Sequence, residues 1–151
     1  MTTLRDEFTM HATLAPTQVV GQTPGGTRLV VPVTGGWERG DRVNGEIVPP
    51  GADWVLVGAD GFGRVDVRLQ IRTDDGATVY VAYEGLLEIN AAVTVALADP
   101  AVEASWDDQY FRVALRFESG AEAYRWMQQA LFVARGRIAT DGVEYEVSRV
   151  V

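Results

Sequence analysis

At 151 residues, 47% hydrophobic and with a formal net charge of -8, the chain has enough apolar mass for one domain with its own core, and an acidity that repels phosphate backbones and favours solubility. Its 13 basic residues are all arginine and are spread singly, it has one histidine and no cysteine, and so Schiff-base lysines, thiol nucleophiles and Cys/His zinc sites are excluded. Neither nucleic acid nor a membrane is an expected partner, because Met1 to Thr13 lack the regions of a signal peptide and no apolar run approaches the ~20 residues that span a bilayer; the expectation is a cytoplasmic protein with no metal and no cofactor.

In chain order, strands are predicted at Phe8 to Leu14, Thr27 to Val33, Arg42 to Val48 and Trp54 to Val57, separated by turn signals at Pro24-Gly25-Gly26, Gly35-Gly36 and Pro49-Pro50-Gly51. The clearest pattern follows. Val65, Val67, Leu69 and Ile71 alternate with Asp66, Arg68, Gln70 and Arg72, and beyond the turn at Asp74-Asp75-Gly76 Val79 and Val81 continue the apolar face while Thr78, Tyr80 and Ala82 continue the polar one. That register predicts a hairpin in which Val65 to Ile71 pairs with Thr78 to Tyr83 and Tyr80 lies near Gln70. Ala91 to Ala98 reads either way, since its alanines suit a helix and Val93, Thr94 and Val95 suit a strand. Phe111, Val113, Leu115 and Phe117 alternate with Tyr110, Arg112, Ala114 and Arg116 in a second two-faced strand. Ser119-Gly120-Ala121-Glu122 has the form of a capping box, predicting a short helix through about Met127. Leu131 to Ile138 and Val143 to Val151 close the chain as a hairpin through Asp141-Gly142.

About eight short strands in sequence predict an all-β fold, a closed antiparallel meander barrel with one or two helical turns, because closure removes exposed edges. A two-sheet sandwich is the competing arrangement.

Six ordered blocks also resemble a known family. They are Val20-Gly21-Gln22-Thr23-Pro24-Gly25-Gly26-Thr27-Arg28 with Pro32-Val33-Thr34-Gly35-Gly36, Gly45 through Trp54, Arg72-Thr73-Asp74-Asp75-Gly76, Tyr110-Phe111-Arg112, Phe117-Glu118-Ser119-Gly120 and Leu131-Phe132-Val133. Together they resemble DUF3237, a domain-of-unknown-function family of bacteria and fungi. The resemblance implies a small barrel similar to that of allene oxide cyclase. The chain departs from the usual pattern after Trp126, where Met127-Gln128-Gln129 stands in place of a Leu-Asn pair.

With carboxylates, Arg, Tyr and Trp as the available chemistry, Asp53, Trp54, Asp66, Tyr80 and Arg112 are expected to converge on one cavity inside or at the mouth of the barrel. Asp53-Trp54 follows a turn that can aim both side chains inward, where a desolvated carboxyl becomes a usable acid or base. Asp66 and Arg112 lie on the polar faces of two separate strands, and alternation alone does not say whether those faces meet solvent or lumen. In the lumen, Asp66 would join Asp53 in moving protons. Arg112 and Tyr80 would there stabilise an oxyanion. Glu46, Tyr110 and Trp126 are the further ligand-binding candidates. The implied activity is that of a cofactor-independent isomerase, cyclase, hydratase or lyase acting on a small, mostly apolar carbonyl or polyene compound. A lipocalin-like carrier and a subunit that forms a homo-oligomer are the alternatives.

Overall fold

Alternation at period two becomes an antiparallel sheet that closes on itself in the computed structural model, which describes residues 1–151. The strands are β1 (Leu4–Leu14), β2 (Gln18–Thr23), β3 (Gly26–Gly40), β4 (Asn44–Asp53), β5 (Leu56–Val57), β6 (Phe62–Thr73), β7 (Thr78–Glu88), β8 (Phe111–Glu118), β9 (Phe132–Ala139) and β10 (Gly142–Val150). Around the barrel they run β1-β10-β9-β8-β7-β6-β4-β3, and β3 returns to pair with β1, so these eight strands have no free edge between them. β2 lies outside the closed ring on β3, and the short β5 bridges β3 and β6.

The inner face is the apolar row. Val65, Val67, Leu69 and Ile71 on β6 are almost wholly buried, as are Val79 and Val81 on β7 and Phe111, Val113, Leu115 and Phe117 on β8. Burying each such side chain contributes on the order of 2 kcal/mol, whereas turning the arginines and aspartate of the same strand inward would cost more than that for each unpaired charge. The hairpin has the expected pairing, with Gln70 opposite Tyr80 and Ile71 opposite Val79.

Strand β3 bends at Thr34-Gly35-Gly36. Before the bend it pairs with β2 and β5 and, at Val31 and Pro32, with β4; β4 pairs again from Trp37 to Arg39 after a register shift, and β1 pairs from Val33 to Gly40 with a shift beside the bend. Gly36 sits at φ 136, and a Cβ there would collide with the carbonyl of His11, so only glycine can make the turn. The bend also shifts the parity of the strand: Val33 and Glu38, five residues apart, both point inward and are buried.

Several local expectations are corrected. Pro49-Pro50-Gly51 does not end a strand: β4 carries through to Asp53 with a register shift between Val48 and Ala52. The strand expected at Trp54 to Val57 shrinks to Leu56–Val57, and β2 is a strand that alternation did not reveal. The capping box does not form. Ser119 Oγ donates to the Thr78 carbonyl and accepts from Ala121 N, so the 3₁₀ helix Glu122–Gln128 starts without a side-chain cap. At Ala91–Ala98 the helix prevails over the strand. This element, α1, begins where the Asn90 side chain accepts from Val93 N at 3.0 Å, and it buries Val93 and Ala96 against the barrel end.

The two ends of the barrel differ. One is plugged: Phe8 packs edge-on against Phe117, Phe117 against Phe132, and Trp126 of the 3₁₀ helix against Phe132 at 5.9 Å. The other end, toward α1 and the β9–β10 turn, is hollow.

Candidate functional site

The hollow end holds a cavity of about 550 Å³. It reaches the surface, since exposed Pro16, Thr17, Leu97 and Asp141 are among its lining residues. Of the 27 residues on its wall 21 are hydrophobic, and the titratable ones are Asp53, Asp141, Tyr83 and Tyr145. A roomy apolar space with a few convergent polar groups is the usual form of a small-molecule site.

Asp53 enters this space because of strand register. It lies opposite Val67 of β6, and Val67 lies opposite Tyr83 of β7, so all three side chains share the inner face. Its Oδ1 accepts a hydrogen bond from Asp66 N at 3.0 Å. Burial pushes the carboxyl up to about 6, although the Asp66 N–H and the Arg28 charge act in the opposite direction. A carboxyl that titrates near neutrality can both take and return a proton.

Tyr83 and Tyr145 stand on the same inner wall with ring centroids 5.2 Å apart, edge to face, and Phe111 packs against Tyr145 at 5.4 Å. Burial drives both phenols above their ordinary range. The nearby Asp53 charge adds to the rise in both. They are therefore lasting hydrogen-bond donors. They do not serve as bases. Sequence reading passed over them, although Tyr83 continues the period of Val79 and Val81 and Tyr145 that of Val143 and Val147; placing each phenol on the apolar face of its strand was the available signal.

The expected convergence of five residues is corrected. Asp53 alone of them has its side chain on the cavity. Asp66, Arg68, Gln70 and Arg72 line the outer wall, because their four alternates fill the lumen. Asp66 still bears on the site through its backbone, whose N–H binds Asp53 and whose carbonyl accepts from Trp54 N at 3.0 Å. Trp54 is one residue beyond an inward-facing position and so points outward, with the Arg68 guanidinium 6.0 Å from its ring centroid. Tyr80 is 37% exposed on the outer face. Arg112 also lies outside, bonded to the Phe111 carbonyl at 2.9 Å and stacked over Tyr110 at 5.2 Å. Glu46 is exposed opposite Trp37 and Arg72. Trp126 belongs to the plugged end, where Arg42 lies 3.6 Å over its ring. The lone His11 pairs with Glu144 at 3.1 Å and stacks on Trp37 on the outer wall, with no nucleophile beside it. No three His, Cys, Asp or Glu side chains come together in a way that could hold a metal ion, and no helix is long and apolar enough to cross a membrane.

The whole barrel has counterparts in other organisms. A UPF0311 protein of Rhodopseudomonas palustris is 30% identical over 149 residues, covering 95% of this chain and 94% of that protein. A crystal structure of a conserved protein of unknown function from the same species superposes with a TM-score of 0.90 at 28% identity, over 100% of this chain and 99% of the other. The crystal structure of an enzyme from Penicillium herquei shares the architecture at a TM-score of 0.72 and 21% identity, covering 99% of this chain and 95% of that one. The model of the family described as "Protein of unknown function (DUF3237)" matches residues 2–150. With its motifs, barrel and full-length relatives in agreement, this chain belongs to the DUF3237 family.

Proposed function

We propose that the protein is a cofactor-independent enzyme that binds a mostly apolar carbonyl or polyene compound in the hollow end of the barrel and rearranges it by proton transfer, as an isomerase, cyclase, hydratase or lyase. The observation that carries this reading is Asp53: a carboxyl titrating at about 6 on the wall of an otherwise apolar cavity, beside two buried phenols. At neutral pH its carboxylate takes a proton from the ligand and returns it elsewhere. Tyr83 and Tyr145, held protonated by burial, donate to the oxygen on which charge develops. No side-chain nucleophile is needed; a hydratase would add water, and a lyase would release a leaving group. The enzyme from Penicillium herquei lends support as a fold analogy and nothing more.

A second reading, a lipocalin-like carrier, is favoured by the wall itself, since 21 hydrophobic residues of 27 suffice to hold an apolar ligand without changing it. The two readings part on turnover. Purified protein incubated with a small-molecule extract and followed by untargeted mass spectrometry should consume at least one apolar compound, and Asp53→Asn should not. Compounds retained in equal amount by both proteins, with none converted, would establish the carrier instead.

A further inference from the structure

We infer that the lumen takes a ligand without any anionic group, one whose hydroxyl or protonated amine donates to the Asp53 carboxylate. The inference rests on the cavity being the working site and narrows its ligand by charge. The wall carries no cationic side chain: its titratable residues are Asp53, Asp141, Tyr83 and Tyr145. None of the 13 arginines of the chain is among the lining residues. Arg28, the cation that bears on Asp53, is not on that wall and directs one guanidinium N–H to the Trp54 carbonyl at 2.5 Å.

Asp141 guards the approach. It is exposed at the β9–β10 turn, and its backbone is fixed there by Asp141 N donating to the Pro100 carbonyl at 3.0 Å and Leu14 N donating to the Asp141 carbonyl at 3.1 Å. A carboxylate, sulfate or phosphate would thus meet one negative charge at the mouth and a second inside, with no cation on the wall to offset either. At an effective dielectric of about 20 and a separation of a few ångströms, such repulsion weakens binding by tenfold or more.

A donor head supplies what Asp53 lacks. The hydrogen bond it accepts is the one from Asp66 N, so the carboxylate has lone pairs left to face the cavity. For an ammonium head the rings of Phe111, Tyr83 and Tyr145 on the same wall add cation–π attraction. A carbonyl elsewhere on the same ligand would find its donors in the two phenols. With Arg112 outside, no guanidinium is there to stabilise an oxyanion in the lumen.

The test is a charge series on one apolar body: pyrenemethanol, pyrenemethylamine and pyrenecarboxylate, titrated into the intact protein at about pH 8 and read by fluorescence. The alcohol and the amine should bind at least about tenfold more tightly than the carboxylate. In Asp53→Asn the advantage of the amine should fall and the carboxylate should gain. Leu29→Trp, which fills part of the cavity from its wall, should weaken all three probes. Equal affinity for the three probes in the wild type, or a preference for the carboxylate, would overturn the charge inference while leaving the cavity as the site. Failure of every probe to bind, or binding that ignores Leu29→Trp, would overturn the site reading as well.

Discussion

Two carboxyls face the interior of this barrel, half-buried Asp53 at the hollow end and buried Glu38 toward the plugged one, and they have been treated differently by the fold. Asp53 has a backbone N–H on one oxygen and a cavity that reaches the surface, and burial lifts it to about 6. Glu38 is fully buried, neither of its oxygens has a partner, and burial lifts it to about 8. At neutral pH the first is mainly ionised and the second mainly protonated. The difference teaches that inward placement alone does not make a carboxyl chemically useful. What matters is whether the surrounding strands leave it space and a donor.

Asp53→Asn tests the hollow end most severely. Loss of a general base should cut kcat/KM by about 100-fold or more. The wild-type rate should rise with pH through about 6 and level off above it, and that limb should vanish in the variant. An unchanged profile would remove Asp53 from the chemistry.

Glu38 should show its effect in stability rather than in rate. Its folded value of about 8 exceeds the ordinary 4.5, so the folded chain holds this proton more tightly than the unfolded chain does. Below 4.5 both states are protonated and nothing is lost; the penalty grows as pH rises and is complete above about 8. At pH 7 it is roughly 3 kcal/mol. Glu38→Met should therefore raise the urea midpoint at about pH 8 and leave much less of that gain at about pH 4. A gain that does not depend on pH would assign the effect to packing instead.

Tyr145→Phe should slow turnover by about tenfold with little change in stability, since it removes one hydroxyl from a pair and keeps the ring contacts with Tyr83 and Phe111. Its pH profile should retain the Asp53 limb. Losing that limb would mean that the phenols and the carboxyl titrate as one unit.

The outer wall should be almost silent. Arg112→Lys, Asp66→Asn and Tyr80→Phe each change a group outside the cavity, and each should alter kcat/KM by less than about twofold and stability by less than about 0.5 kcal/mol. In Asp66→Asn the backbone N–H to Asp53 is retained, so the carboxyl keeps its hydrogen bond. A large loss of activity in Arg112→Lys would point to a second site on the outer wall.

Much of the fold could be read along the chain. The alternation of Val65 to Ile71 and of Phe111 to Phe117 carried the strands, their apolar faces and the hairpin pairing, because a period of two is a local property of an extended backbone. The candidate site was less accessible. Asp53 was found from its position next to a turn, but its supposed partners were drawn from polar rows that proved to be the outside of the barrel. The polar groups that do reach the cavity, Tyr83 and Tyr145, were hidden on apolar faces, where a tyrosine looks like any other core residue. Glu38 was missed for another reason: the bend at Gly35-Gly36 reverses the inward parity of β3, and nothing in a two-residue repeat announces a bulge.

The sequence by itself determined that this is an acidic all-β chain, lacking lysine, cysteine and all but one histidine, whose strands each have one apolar face and whose motifs are those of DUF3237. These are properties of residue types and of neighbours a few positions apart. Only the tertiary structure decided which face was the lumen, where the lumen stays hollow, and which acids share it. Those outcomes depend on pairs such as Asp53 with Val67, Val67 with Tyr83, and Met10 with both Tyr145 and Glu38. Such pairs are far apart in the chain, and they are set by the closing of β3 onto β1, when the whole sheet must choose one side to take out of water.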